Sequence, residues 1–107
     1  MFFKYPQNDQ HFVWTKHAIE KMKHYGLSEQ KLRKLFYKHE RREEGIAPTT
    51  IAIMNTVGSC KRPTEIWLMY QLIEGKKVKI ITAWRYPGVS KKQEIPIPDD
   101  IKFSLQK

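Results

Sequence analysis

Trp14-Thr15-Lys16-His17-Ala18-Ile19-Glu20-Lys21-Met22-Lys23-His24-Tyr25-Gly26 reads as one complete short helix, and its boundaries organise the rest of the chain. Thr15 suits an N-cap, and Gly26 suits the left-handed position that stops a helix. At roughly 100° per residue, Ala18, Ile19, Met22 and Tyr25 share one side and can pack. His17, Lys21 and His24 flank them at i, i+4 and i+7. His17 falls in the first turn, where unpaired backbone amides disfavour imidazolium and favour the neutral, proton-accepting ring. That is a useful place for a general base.

After Gly26-Leu27, Ser28-Glu29-Gln30-Lys31 restarts a helix with a good N-cap and an acidic first turn, and Leu32, Leu35 and Phe36 continue at helical spacing. The mixed-charge run Lys38 to Glu44 could extend this helix or pair as a first strand. From Thr49 the residues Thr-Thr-Ile-Ala-Ile-Met-Asn-Thr-Val, bounded by Pro48 and Gly58, read as a strand. Gly58 to Thr64 is a basic loop, Glu65 to Ile73 a second strand, Glu74-Gly75-Lys76-Lys77 a turn, and Val78 to Tyr86 a third strand ended by Pro87-Gly88. Short connections make these strands antiparallel. Alternation puts Val78, Ile80, Thr82 and Trp84 on the core face, with Lys79, Ile81, Ala83 and Arg85 opposite.

Gln93 to Pro98 can add only an edge strand, because its prolines cannot complete a ladder. Residues 1–13 suit an extended arm or short edge strand, and the residues beyond Pro98 are expected to fray. The order implies an α+β fold: two N-terminal helices packed on one face of a curved antiparallel sheet of three to five strands, the opposite face open to a partner. One domain over residues 1–107 is expected, with its core within about 13–98.

Lys plus Arg outnumber Asp plus Glu by 20 to 11, a formal charge of +9 that points to a polyanionic partner, nucleic acid first. Such charge also serves solubility alone. The single cysteine, Cys60, cannot form an intramolecular disulfide, which fits a reducing cytoplasm. Neither a signal peptide nor an apolar run of bilayer length is expected, so no membrane association is. The sequence contains no His-Glu-x-x-His, Cys-x-x-Cys or phosphate-cradling glycine loop, so neither a metal nor another cofactor is expected.

The residues His17-Ala18, Lys21-Met22, Tyr25-Gly26-Leu27-Ser28 and, far downstream, Val78-Lys79-Ile80-Ile81-Thr82-Ala83 resemble the DUF4258 family. That family is grouped with the RelE-like and barnase-like (BECR) ribonuclease folds. The resemblance spans about Val13 to Tyr86. Its basic position is more often Arg, whereas Lys21 stands here, which removes a bidentate phosphate clamp. The resemblance implies a small metal-independent endoribonuclease, of the kind that acts as the toxin of a toxin–antitoxin pair and is held by a protein inhibitor.

Such cleavage needs a base for the 2′-hydroxyl, an acid for the departing 5′-oxygen and donors for the charged phosphorane. The candidates are His17 as base or acid, Thr82 as an orienting hydroxyl, and Lys21 and Arg85 as stabilisers of charge. Thr82 and Arg85 are three positions apart, so a regular strand points them to opposite faces unless it twists or bulges. Each has a plain structural alternative: a His17 hydrogen-bonded to a loop carbonyl, an ordinary strand Thr82, a salt-bridged Arg85, a solvated Lys21. A non-catalytic RNA-binding module would use the basic loops Lys61-Arg62 and Lys91-Lys92, with Tyr70, Tyr86, Trp67 and Trp84 stacking on bases unless they pack the core. A protein-interaction domain is the third class. His11, His24, His39 and Cys60 carry no pattern that implies chemistry.

Overall fold

The computed structural model describes residues 3–45, 49–73, 76–92 and 94–105, the side chains of 103–105 excepted. Strand β1 (Phe12–Trp14) leads directly into helix α1 (Lys16–Tyr25). Thr15 between them is extended, and its side chain accepts the Ala18 N–H at 3.1 Å, which satisfies one of the helix's orphan donors. Gly26 ends the helix at φ 66°, its N–H directed to the carbonyls of Met22 and Lys23. Ala18 and Met22 are buried, with Ile19 and Tyr25 packed against the core, the side expected from helical spacing. Helix α2 (Glu29–Tyr37) starts on Ser28, whose side chain accepts the Lys31 N–H, and buries Leu32 and Leu35.

Strands β2 (Arg41–Glu44), β3 (Thr50–Gly58), β4 (Pro63–Ile73) and β5 (Lys77–Pro87) follow, then helix α3 (Asp99–Leu105). The sheet runs β1-β5-β4-β3-β2, so the charged run after Lys38 supplies an edge strand from Arg41. The fold is α+β, as expected, but the sheet is mixed. β2 to β5 are antiparallel neighbours, whereas β1 lies parallel to β5, pairing Phe12 with Val78 and Trp14 with Ile80. Tight hairpins reverse the chain, but β1 reaches β5 only through two helices and three strands, and that long crossover permits a parallel pair. Pro48, the Glu74-Gly75 part of the turn and Gln93 lie outside the described residues.

A bulge in β5 changes which side chains share a face. Met69 pairs with Thr82 and Tyr70 with Ile80, leaving Ile81 as the extra residue. Val78, Ile80 and Ala83 therefore join the cluster under the helices, while Trp84 packs on the other side of the sheet with Trp67, Met69 and Met54. The regular alternation that grouped Trp84 with Ile80 fails at this one inserted residue.

That second side is covered, contrary to the expectation of an open face. Residues 94–98 form no strand; Ile95 and Ile97 instead pack against Trp67 and Trp84, and Ile101 of α3 is fully buried among them. The core thus reaches from Phe12 to Ile101, beyond the 13–98 expected. Asp99–Leu105 forms a helix because Pro98 accepts the N–H groups of Ile101 and Lys102, and Asp99 and Asp100 place two carboxylates in the first turn. The prolines that exclude residues 94–98 from a ladder suit them to a strap across the sheet.

Arg41 holds that strap. Its guanidinium donates to the Ser90 hydroxyl at 2.9 Å and to the carbonyls of Lys91 and Glu94, each at 2.7 Å, and lies 5.1 Å from the centre of the Trp67 ring. Beneath it the fully buried Glu65 accepts from Trp67 Nε1 at 3.0 Å, the Ser90 N–H at 2.9 Å and the Ser90 hydroxyl at 2.6 Å.

Candidate functional site

His17 and Thr82 meet. His17 Nε2 lies 3.1 Å from Thr82 Oγ1 across 65 residues of sequence, and which atom donates depends on the imidazole tautomer. Two features bring them together. Thr15 ties the start of α1 to the edge of β5, its hydroxyl donating to the Ile80 carbonyl at 2.8 Å, and the Ile81 bulge then turns Thr82 into place. Thr82 is fully buried, so the contact also gives its hydroxyl a partner.

His17 is half-buried, and its pKa is held below the ordinary 6.5, first by burial and then by the neighbouring Lys21 cation. The imidazole is therefore neutral at pH 7, the form a general base requires. The unfolded chain binds this proton more readily than the folded one. The contribution of His17 to stability is therefore full above pH 6.5 and declines as pH falls from there through the lower folded pKa. A ¹H–¹⁵N titration of the imidazole is expected to give a midpoint below 6.5; a midpoint at or above that value would mean an environment unlike the one described.

Lys21 lies one helical turn beyond His17, with its charge engaged. Its Nζ is 2.5 Å from Asp100 Oδ2, and the Tyr25 hydroxyl donates to Asp100 Oδ1 at 3.2 Å. Burial and the adjacent Asp100 raise the Tyr25 pKa to about 12, while burial of Asp100 is outweighed by Lys21, which leaves its carboxyl below the usual range. Arg85 is elsewhere. Its Nε donates to the Tyr25 carbonyl at 2.6 Å and its Nη2 to the Gly26 carbonyl at 3.1 Å, so it caps the C-terminus of α1. His17 and Tyr25, eight residues apart, are separated by about 12 Å along the helix axis. The bulge lies at Ile81, before both residues, and the register from Thr82 to Arg85 is regular, so Thr82 and Arg85 stay on opposite faces of β5.

Several of the expected RNA-contacting residues gather at one end of the sheet. Lys61 and Arg62, in the β3–β4 loop, are exposed, as are Lys91 and Lys92 after β5, and the Gly88 N–H donates to the Pro63 carbonyl at 2.9 Å, holding these two loops together. Beside them a groove of about 650 Å³ is lined by Tyr25, Arg85, Tyr86, Lys91, Ile95 and Ile97, among others. Tyr70 does not belong to this end. It is buried on the helix side with its ring 5.1 Å from that of Phe36, and Trp67 and Trp84 are buried against each other, their rings stacked 5.8 Å apart. None of these three rings is open to a base. Bulky residues on both faces of a covered sheet go to packing.

His17, Lys21 and Tyr25, at i, i+4 and i+8, form a line along α1 from Thr82 to the groove, with Asp100 facing its middle. Reading the sequence missed Asp100 and the polar use of Tyr25. The signal was Pro98-Asp99-Asp100 before Ile101, a proline and two acids where a helix begins. Among the described residues, no three His, Cys, Asp or Glu side chains are grouped to hold a metal ion, and no helix is long and apolar enough to cross a membrane. Compared with known proteins, the chain matches no family model, and no curated protein or solved structure matches it significantly.

Proposed function

We propose that this domain is a metal-independent endoribonuclease in which His17, held by Thr82, handles the proton of the RNA 2′-hydroxyl. The observation that carries the reading is the contact between a neutral, half-buried imidazole and a buried threonine hydroxyl, at the head of a line of side chains leading to a groove with Arg85, Tyr86 and Lys91. The net charge of +9 supports a polyanionic substrate, and the residue resemblance to DUF4258 points the same way.

In this mechanism the imidazole removes the 2′-hydroxyl proton, the 2′-oxygen forms a bond to phosphorus, and the bond from phosphorus to the 5′-oxygen breaks. The imidazolium then returns the proton to that 5′-oxygen. The products are a 2′,3′-cyclic phosphate and a 5′-hydroxyl, so atoms and charge balance. Thr82 positions the ring, the exposed Lys61, Arg62, Lys91 and Lys92 attract the backbone, and Tyr86 offers a ring in the groove. A cytoplasmic setting and a protein inhibitor acting as antitoxin belong to the same proposal.

The test is incubation with single-stranded RNA in EDTA. Cleavage is expected, and none of the same sequence carrying 2′-O-methyl groups; equal cleavage of both would eliminate 2′-hydroxyl attack. A second reading, a non-catalytic RNA-binding module, draws on Arg85, whose guanidinium is committed to the α1 carbonyls rather than held towards His17. It expects salt-sensitive binding with the RNA left intact.

A further inference from the structure

The middle of the line along α1 is occupied by the protein's own anion. Lys21 Nζ and the Tyr25 hydroxyl, one helical turn apart, converge on the two oxygens of the Asp100 carboxylate. Both donors come from α1 and the acceptor comes from α3, 79 residues after Lys21, so the contact is a tertiary one rather than a local helix pair. We propose that Lys21 and Tyr25 form a phosphate-binding site that Asp100 fills in the free protein, and that a backbone phosphate of RNA displaces the Asp100 carboxylate from it. This rests on the reading of the domain as RNA-acting and adds a place for the substrate backbone.

The chemistry of the exchange is balanced. A phosphodiester carries one negative charge and presents two unesterified oxygens, like the carboxylate it replaces, so Lys21 keeps a counter-charge and Tyr25 keeps an acceptor. The partners differ in exposure: the Lys21 side chain is 17% exposed, while that of Asp100 is 41% exposed, so water already reaches the carboxylate. Leaving the site need not undock α3, which Ile101 anchors in the core and Pro98 caps. Lys21 lies about 6 Å along the helix axis from His17. A phosphate at Lys21 would thus adjoin the one at His17 and lead the strand towards the groove beside Tyr25. The internal carboxylate competes with RNA, so the apparent affinity falls with the fraction of molecules in which the site is open.

The experiment uses the full chain and two probes: a short single-stranded 2′-O-methyl oligoribonucleotide, which binds without being cut, and inorganic phosphate. Asp100→Asn is expected to bind the oligonucleotide about two- to fivefold more tightly than wild type, the scale of one exposed ion pair. Lys21→Gln added to Asp100→Asn should cancel that gain. Inorganic phosphate should raise the melting temperature of Asp100→Asn more than that of wild type. Asp100→Ser is a second variant with the same expectation should the amide perturb α3. Unchanged or weaker oligonucleotide binding by both variants overturns the proposal, as does a gain that survives Lys21→Gln. If wild type binds no oligonucleotide at low salt, the RNA reading itself falls and the phosphodiester assignment with it. The phosphate arm then shows separately whether Lys21 and Tyr25 hold an anion.

Discussion

Glu65→Ala is expected to destabilise the fold by about 3–5 kcal/mol, the cost of removing one partner from a buried charged network. The substitution leaves the Trp67 Nε1–H and the Ser90 N–H without their acceptor and takes away the carboxylate 3.9 Å from Arg41 Nη1. Arg41 keeps Glu43 at 2.9 Å, so its charge is not stranded, but Ser90 loses the oxygen that orients its hydroxyl towards that guanidinium. The damage should spread along the strap, because Arg41 holds the Lys91 and Glu94 carbonyls and the strap carries Ile95, Ile97 and Ile101 onto Trp67 and Trp84. Thermal unfolding is expected to show a fall on the order of 15 °C. Amide exchange should accelerate first in residues 94–102, before β4 and β5. Glu65→Gln, which keeps the shape and one acceptor oxygen, should cost less. A melting temperature within a few degrees of wild type for Glu65→Ala would show that the strap is held by apolar packing alone.

His17→Ala is expected to lower the rate of RNA cleavage by about 10²–10⁴-fold, the usual contribution of a positioned general base. The side chain is half-buried and among the described residues it hydrogen-bonds to Thr82, so the fold should survive its loss, with a modest stability cost at the Thr82 hydroxyl. Thr82→Val separates positioning from proton transfer. It keeps the β-branched shape in β5 but frees the imidazole to rotate, so the rate should fall less than in His17→Ala. The midpoint of the acidic limb of the pH–rate profile should move in Thr82→Val, whereas a purely structural threonine would leave it unchanged. In wild type that limb belongs below pH 6.5, because the folded pKa of His17 lies below the ordinary value.

Much of the fold was legible because local signals agreed with one another. Thr15, Gly26 and Ser28 mark helix ends by chemistry that acts within a few residues, and the β-branched runs of β3 to β5 are separated by short connections. What was illegible depends on contacts distant in sequence. The Ile81 bulge is one inserted residue with no marker in Val78 to Tyr86, yet it moves Trp84 to the second face and aims Thr82 at His17. The covering strap was hidden because prolines signal only what a segment cannot do, and Ile95, Ile97 and Ile101 acquire meaning once the sheet has an apolar second face. Within the site, the pairing of His17 with Thr82 follows from two readable elements, a helix start and a strand. The capping of α1 by Arg85 was illegible because it joins β5 to the Tyr25 and Gly26 carbonyls, residues distant in sequence, and a strand cation carries no local mark of such a contact.

The central claim is that the imidazole resting against Thr82 acts on RNA, and end-group analysis of RNA treated in EDTA with wild type and His17→Ala, side by side, tests it most directly. Wild type is expected to leave 2′,3′-cyclic phosphate and 5′-hydroxyl ends, and the variant intact RNA. Identical fragments from both proteins, or RNA left whole by wild type, would contradict it.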